Sequence, residues 1–402
     1  MKKISLLLLL LIPLIASAYT GEAEIDGIYY NIVTKGKDAE VIGCKNEITN
    51  LKIPETVEYE GVTCNVTAIH HRAFLGKRNL TTVTLPNSIV KVDHFAFSGC
   101  TNLTSIAIPQ SVTYLGQGVF YECENLSTVE ISSITQWLNI INYKETFPYP
   151  YSLQIDGVPV KELNFQNDVT DIKDGTFQNC ISIEKVVFAG EVKNIGDSAF
   201  KGCKNIKEIK MSENVISIGP YSFEGCEKLE SLDISRNIGT IETSAFKNCI
   251  NLRELRIPER VKQIKGYSFD GCTNLEKVYL PSSVNTILEF AFRRCLELTD
   301  FFVYGTSTKA HSYSFNNSDV KYVTLHVPAS SLEYYKSTYP WSDFGNIVAL
   351  TEDDETGIIA ATEEPTEQKQ YFTLDGKRIS NLQKGVNIVR MPNGITKKEM
   401  IK

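Results

Sequence analysis

Cysteine is the residue type in this 402-residue sequence that could carry the most chemistry, because thiols bind metals, form disulfides and act as nucleophiles. Eight of the ten cysteines form one column, each three residues after a phenylalanine, with steps of 23 residues apart from one longer step: Cys100, Cys123, Cys180, Cys203, Cys226, Cys249, Cys272 and Cys295. Equivalent side chains of stacked repeats point the same way, whereas a disulfide needs converging Cβ atoms. We therefore predict a buried ladder of free thiols, which ends at Lys77 and Ser318, where capping units meet water.

The other two cysteines, Cys44 and Cys64, lie outside this column in a lead-in of extended segments. The export signal described below motivates a disulfide between them, and two free thiols are the alternative. No close pair of cysteines or histidines has the tight spacing of a zinc site, and the five histidines form no metal-binding or nucleophile motif. We expect no catalytic residue, no metal and no cofactor, and we expect that the protein is not an enzyme.

The phenylalanines show that a repeat positions the cysteines. Ten of them recur with the same period of 23 residues: Phe74, Phe97, Phe120, Phe177, Phe200, Phe223, Phe246, Phe269, Phe292 and Phe315. The one longer step, from Phe120 to Phe177, is 57 residues, which corresponds to two repeats and an insertion of 11. We predict that the phenylalanine and cysteine columns together form the structural ladder of the fold.

Each repeat also contains one short strand. Ile106, Ala107 and Ile108 alternate in the manner of a strand with one buried face, Pro109 ends this strand, and a second apolar pair follows. A unit of 23 residues cannot bury this much apolar surface alone, but stacked units cover each other. The predicted fold class is therefore a repeat solenoid with one short parallel strand per coil.

The segment from Ala96 to Pro109, AFSGCTNLTSIAIP, resembles the BspA-like surface leucine-rich repeats of bacteria, and the resemblance extends over residues 22–350. It implies a right-handed leucine-rich-repeat superhelix. A β-rich N-terminal cap would occupy residues 19–68, the solenoid residues 69–318 with an irregular unit at about 132–165, and a C-terminal cap residues 319–350. Members of that family include adhesins for host matrix proteins and for other bacteria, so the resemblance implies a binding function.

The two ends of the sequence predict export. Two lysines, an apolar run and a small-residue end at Ala18 have the order of a secretory signal peptide over residues 1–18, and no later segment is long enough to cross a membrane. Residues 351–370 carry seven acidic residues against one lysine, which is typical of a flexible linker. Residues 371–402 are predicted to form a small β module similar to C-terminal sorting modules of exported Bacteroidetes proteins. A β appendage without a sorting role is the alternative.

The outward-facing column of the strands contains the first candidate binding site. Its last three members are Arg256, Tyr279 and Phe302. Arginine together with aromatic residues is the composition of interface hot spots, which favours binding of a partner. Alternatively, Tyr279 and Phe302 only pack on each other and stiffen the sheet.

The irregular unit contains the second candidate binding site. Trp137, Tyr149 and Tyr151 lie there together with Tyr143 and Phe147, and loops inserted into a repeat often carry function. We therefore take Trp137, Tyr149 and Tyr151 as candidate ligand contacts. Alternatively, Trp137 or Tyr143 replaces the missing phenylalanine in the core.

Composition narrows the class of partner. The 41 basic and 48 acidic residues give a net charge of −7, which excludes nucleic acid as the main partner because phosphate binding needs clustered positive charge. We predict a secreted or outer cell-surface protein, non-enzymatic and adhesin-like, that binds a host matrix protein or another cell surface through a solenoid face. The alternative is a glycan-binding accessory protein of a surface polysaccharide system. Because both ends of the stack are predicted to be capped, we expect a monomer.

Overall fold

The computed structural model describes residues 21–33, 37–141, 146–165, 169–351 and 354, and the backbone of residues 370–372, 378–379, 385–390 and 396–401. The predicted signal peptide and most of the predicted linker lie outside these residues. The chain divides into two compact units, one ending at Ile347 and the other beginning at Val348.

Six strands form the N-terminal part of the first unit in the residues that the structure describes. They are β1 (Gly21–Ile25), β2 (Ile28–Val33), β3 (Asp38–Cys44), β4 (Asn50–Lys52), β5 (Thr56–Tyr59) and β6 (Val62–Ile69). β1, β2 and β3 form an antiparallel meander, β6 pairs parallel to β3, and β5 pairs antiparallel to β6. β4 and β6 each pair parallel with a strand of the following coils, so two ladders start from this cap.

The main ladder contains one strand from each coil. After β4 its members are β7 (Thr82–Thr84), β9 (Ser105–Ile108), β11 (Thr128–Ile131), β12 (Ser152–Ile155), β14 (Glu162–Phe165), β16 (Lys185–Phe188), β18 (Glu208–Met211), β20 (Ser231–Asp233), β22 (Glu254–Arg256), β24 (Lys277–Leu280), β26 (Asp300–Val303) and β28 (Thr324–Val327). The strands pair in parallel at the repeat register within four groups, β4 with β7, β9 to β12, β14 to β20 and β22 to β28, as in Val129 opposite Ile106 and Val278 opposite Phe301. Because side chains alternate along a strand, this register keeps the apolar column inside and the polar column outside in every coil.

A second, minor ladder uses a two-residue strand from the following turn of most coils. Its members after β6 are β8 (Lys91–Val92), β10 (Tyr114–Leu115), β15 (Asp171–Ile172), β17 (Asn194–Ile195), β19 (Ser217–Ile218), β21 (Thr240–Ile241), β23 (Gln263–Ile264), β25 (Thr286–Ile287) and β27 (Lys309–Ala310). These are the second apolar pairs of the repeat. The fold is thus a β-solenoid of about 13 turns with parallel strands and little helix, which confirms the predicted fold class.

The repeat phenylalanines stack face to face along the inside of the solenoid. All ten are buried, none being more than 6% exposed. Neighbouring ring centroids lie 5.0 to 5.9 Å apart at interplanar angles of at most 16°, on both sides of the irregular unit. Each inner ring of the stack is therefore covered on both faces by its two neighbours, which keep it from water.

The cysteine column packs beside this stack as free, buried thiols. Seven of the eight thiols donate a hydrogen bond to the carbonyl oxygen of the phenylalanine 26 residues earlier, as Cys203 does to Phe177 at 3.0 Å and Cys249 to Phe223 at 3.5 Å. The eighth, Cys180, follows the irregular unit and contacts the Ser182 hydroxyl instead, at 3.4 Å. A thiol must stay protonated to donate, and burial ensures this by raising the pKa of Cys272, for example, to about 12.

The two ends of the cysteine column differ in their access to water. The Ser318 side chain is 1% exposed, and its hydroxyl donates to the Phe292 carbonyl in the place of a thiol, so this end does not meet water as expected. Lys77 is half-exposed, and its ammonium group donates to the Cys44 carbonyl at 2.8 Å. The C-terminal cap therefore buries its end of the column, whereas the other end is partly accessible.

The predicted disulfide between Cys44 and Cys64 is wrong, since both thiols are free and buried. β3 and β6 run parallel, with Asp38 opposite Asn65, so Cys64 lies beside the start of β3. Cys44 is the last residue of β3. At about 3.3 Å per residue, the two cysteines are roughly 20 Å apart along the strand direction, whereas a disulfide joins Cα atoms less than about 7 Å apart.

The C-terminal cap closes the stack with large aromatic side chains. It contains α2 (Leu332–Ser337) and β29 (Asn346–Ala349), and α1 (Ile134–Asn139) and β13 (Val158–Pro159) belong to the irregular unit. Trp341 packs 5.3 Å from the last repeat ring, Phe315, and its indole N–H donates to the Thr308 carbonyl at 2.9 Å. The second unit contains the antiparallel strands β30 (Gln370–Phe372), β31 (Arg378–Ile379), β32 (Gly385–Arg390) and β33 (Thr396–Ile401).

Candidate functional site

The outward face of β22, β24, β26 and β28 carries a row of stacked planar side chains, which we call the strand row: Arg256, Tyr279, Phe302 and His326. The ladder register places the four residues opposite one another. The Arg256 guanidinium lies 3.9 Å from the Tyr279 ring centroid, Tyr279 and Phe302 stack at 4.5 Å and 6°, and Phe302 and His326 stack at 4.1 Å and 18°. The structure thus places the three residues predicted from sequence, Arg256, Tyr279 and Phe302, side by side and adds His326 after them.

An acidic residue holds each end of the strand row. Nε of Arg256 donates to the Glu254 carboxylate at 2.7 Å, and Glu254 lies two positions earlier on the same strand and face. Nε2 of His326 lies 2.9 Å from Oδ1 of Asp300, which is on the neighbouring strand β26, opposite the residue two positions before His326. Each acid therefore fixes its partner on the outward surface. The strand row is therefore ordered without any ligand.

The strand row has features of both roles considered from the sequence, binding of a partner and stiffening of the sheet. Phe302 is only 6% exposed because Tyr279 and His326 cover its two ring faces, so it supports the row and offers little surface to a partner. Arg256 and Tyr279 are half-exposed, whereas the His326 side chain is 16% exposed. Sequence reasoning missed His326 because the cap shifts the register by one: the residue 23 positions after Phe302 is the buried Leu325.

The earlier part of the outward column is polar and internally paired. Lys185 and Lys210 both form ion pairs with Glu208, at 3.3 and 3.0 Å. Such surface pairs contribute little stability each, about 0 to 1 kcal/mol, but they leave few unpaired charges for a ligand. The strand row therefore contrasts in chemistry with the rest of the same face.

The irregular unit is mostly core, which corrects the prediction for two of its three candidate ligand contacts. Trp137 and Tyr151 are 0% and 1% exposed. Phe147 continues the phenylalanine stack at 5.0 Å from Phe120, and Tyr151 and Trp137 pack on it at 4.8 and 5.7 Å. Aromatic residues replace the missing repeat position here, so Trp137 and Tyr151 cannot touch a ligand.

The third candidate of the irregular unit differs from the other two. Tyr149 is half-buried, and burial raises the pKa of its hydroxyl above the ordinary value. Tyr143, the other residue considered for the core position, lies outside the described residues. Of the candidates in this unit, Tyr149 alone retains accessible surface.

A second exposed aromatic row, which we call the turn row, lies in the turns before the repeat phenylalanines and consists of Tyr267, Phe290 and Tyr313. The ring centroids are 5.0 and 5.7 Å apart, and the Arg293 guanidinium packs on Tyr267 and Phe290 at 5.3 and 5.0 Å. Sequence reasoning missed this row, although its members are 23 residues apart, two positions before the repeat phenylalanine.

Among the described residues, no group of three or more histidine, cysteine or acidic side chains is arranged to hold a metal ion. In the same part of the chain, no helix has the length and apolar character to cross a membrane.

The two parallel ladders, the stacked phenylalanines and the 23-residue period place the protein in the class of leucine-rich repeat solenoids. The model of the BspA type leucine-rich repeat region matches it in six copies, over residues 43–146, 156–262 and 216–338. The chain therefore belongs to this family. No curated protein sequence matches the chain.

The chain is similar to several solved structures at low sequence identity. The pneumococcal vaccine antigen PcpA is 17% identical with a TM-score of 0.53, over 83% of this chain and 99% of that one. A leucine-rich repeat protein from Bacteroides ovatus is 22% identical with a TM-score of 0.41, over 82% and 76% of the two chains. A leucine rich cell surface protein from Faecalibacterium prausnitzii is 21% identical with a TM-score of 0.42, over 71% and 95%. At these identities the likeness concerns fold alone.

Proposed function

We propose that the protein is a non-enzymatic, adhesin-like binding protein that recognises a protein on a host or bacterial surface through the outward face of its main ladder. The observation that carries this proposal is the strand row, an ordered and half-exposed array of arginine, aromatic and histidine side chains. Such an array binds at low entropic cost because its side chains are already fixed before a partner arrives. Membership of a family of leucine-rich repeat surface proteins supports a protein-binding role.

The stacking geometry favours a protein over a glycan. A sugar ring binds an aromatic side chain by lying on an open ring face. In the strand row, Arg256 and Phe302 cover the two faces of Tyr279, and Phe302 is covered in turn by Tyr279 and His326. The accessible parts are ring edges and polar atoms, which suit the mixed contacts of a protein interface.

Export and surface presentation are part of the same proposal. The signal-peptide pattern of residues 1–18 and the family both support an extracellular site of action. The antiparallel strands between residues 370 and 401 agree with a small β module at the C-terminus, for which we propose the sorting role. Deletion of residues 371–402 should abolish surface display in the native host while secretion continues, and unchanged display would rule out the sorting role.

The binding proposal is tested with the full chain on an array of host matrix proteins, bacterial surface proteins and polysaccharides. We expect saturable binding to a protein and none to a polysaccharide. The double variant Arg256→Ala with Tyr279→Ala should then weaken binding at least tenfold. The matched control is Lys210→Ala with Asp233→Ala, which alters the same outward column two coils and one coil before Arg256 and should bind normally.

Two results would contradict the proposal. Saturable binding to a polysaccharide, with no protein bound, would replace it with the glycan alternative. Equal loss of binding in the control variant would show that the strand row has no special role. Thermal unfolding of both variants, expected to match that of the unaltered chain within a few degrees, separates lost binding from lost structure.

A further inference from the structure

Two members of the turn row occupy a backbone position that does not favour bulky side chains. The residue two positions before the repeat phenylalanine has a positive φ in nine of the ten coils, as glycine at Gly118 and Gly175 and as arginine, serine or an aromatic residue in the other coils. Tyr267 and Phe290 adopt this conformation with φ of 61° and 58°. Because the repeat turn imposes the positive φ on whichever residue stands there, the turn itself does not require an aromatic side chain.

The hydrophobic core does not explain them either. Tyr267, Phe290 and Tyr313 lie outside the core cluster, and Tyr313 is 53% exposed. Tyr339 of the C-terminal cap, which is 57% exposed, extends the same surface, because its hydroxyl donates to the carbonyl of Ser312 at 3.3 Å. The turn row is thus an ordered aromatic surface on the outside of the solenoid.

The charges beside the turn row balance. Lys265, Arg293 and Arg294 are basic, whereas Glu242, Asp270 and Glu289 are acidic. Lys265 pairs with Glu242 at 2.8 Å, and both arginines bind the buried carboxylate of Asp270 through Nε and Nη2. This arrangement leaves Nη1 of each guanidinium, together with the tyrosine hydroxyls, as hydrogen-bond donors. The surface therefore suits a neutral ligand that is rich in acceptors.

We propose that the turn row binds a proline-rich segment of a protein partner in the polyproline II conformation. Such a segment has carbonyl acceptors and few N–H donors, and rows of aromatic ridges with polar donors are the surfaces that it docks on. The two ring spacings of 5.0 and 5.7 Å place Tyr267 and Tyr313 at most about 11 Å apart, which is close to the polyproline turn of roughly 9 Å, so residues one turn apart in the ligand would meet equivalent ridges.

The test measures fluorescence anisotropy of a labelled ten-residue proline peptide with the full chain. We expect saturable binding, and none of a glycine-serine peptide of equal length. Tyr267→Gly and Phe290→Gly should each weaken binding at least tenfold, while the fold is kept because glycine suits a positive φ. Ser244→Gly is the matched control, since Ser244 holds the same turn position one coil earlier with φ of 54°, and it should bind normally.

Three results would overturn the inference: no saturable binding of the proline peptide, normal binding by both ring-deleting variants, or binding of a neutral oligosaccharide that Tyr267→Gly abolishes. The inference does not depend on the strand row. The variant Arg256→Ala with Tyr279→Ala should bind the proline peptide normally, so failure of one proposal is distinguishable from failure of the other.

Discussion

The phenylalanine stack and the strand row are two columns of rings with nearly the same geometry and opposite roles. Phe223 and Phe246 stack at 5.4 Å and 7° inside the solenoid, and Tyr279 and Phe302 stack at 4.5 Å and 6° on its surface. The repeat register creates a stack wherever one column is aromatic. The surroundings differ: the inner rings touch only apolar neighbours, whereas the outer row ends in charged groups and water. Stacking geometry alone therefore does not decide between stability and recognition.

The largest effect should come from breaking the inner stack. Phe246→Ala removes a ring that is 0% exposed and that stacks on both neighbours, so we expect a loss of about 3–5 kcal/mol in the free energy of unfolding. Urea unfolding followed by circular dichroism measures it. Phe246→Leu, which keeps most of the volume, should lose clearly less. A loss below about 1.5 kcal/mol for the alanine variant would mean that the coils collapse around the gap.

The next effect concerns Asp270, the one acidic residue that is buried among the residues that the structure describes. The Asp270 side chain is 0% exposed and bonds to Arg293 and Arg294, whose side chains are 27% and 45% exposed. Removing the charge of a buried partner costs about 3–5 kcal/mol, and the exposure of the arginines reduces this, so we expect about 2 kcal/mol for Asp270→Asn. Lys265→Ala, which breaks a more exposed pair, should cost less than about 1 kcal/mol in the same urea experiment.

Asp270 should also make stability depend on pH in the acid range. Burial tends to raise its pKa, but hydrogen bonds from Arg293 and Arg294 outweigh burial and hold the pKa below the ordinary value. A carboxyl group with a lowered pKa in the folded state stabilises the fold above its unfolded pKa of about 4, and this contribution is lost as the pH falls through the folded value. Unfolding midpoints between pH 7 and pH 2 should therefore fall less steeply for Asp270→Asn. Parallel curves would exclude this role.

The buried thiols should be unreactive in the folded protein, and substitution of a single cysteine should cost little stability. Because the thiols are buried, we expect no reaction with a thiol reagent in the folded protein and ten reactive thiols after unfolding, Cys44 and Cys64 included. Cys249→Ser should cost only about 1 kcal/mol, since Ser318 makes the equivalent bond to a phenylalanine carbonyl. Fewer than ten thiols in the unfolded chain would reveal a disulfide.

Much of this fold was predictable because its determinants repeat. The position of Phe246 is a phenylalanine in ten coils and that of Cys249 is a cysteine in eight of them, so the period alone predicted the solenoid and the free thiols. The sequence did not predict which residues lie close together where the strand register changes locally. The parallel pairing of β3 with β6 separates Cys44 from Cys64, and the cap moves His326 onto the strand row by one residue. The burial of Trp137 likewise depends on Phe147, which no periodic column marks.

The smallest predicted effect tests whether the strand row, unlike the phenylalanine stack, contributes little to stability. Arg256 lies over the half-exposed Tyr279 ring, and a cation–π contact at such a site contributes about 0.5–1 kcal/mol. A double-mutant cycle of Arg256→Ala and Tyr279→Ala should give a coupling energy of this size, and Lys210→Ala with Tyr279→Ala, whose side chains are three coils apart, should give none. Coupling above about 2 kcal/mol would make the strand row a structural element like the phenylalanine stack. At the expected value, replacing these residues costs little stability. The ordered strand row would then be better explained by binding of a partner than by stabilisation of the fold.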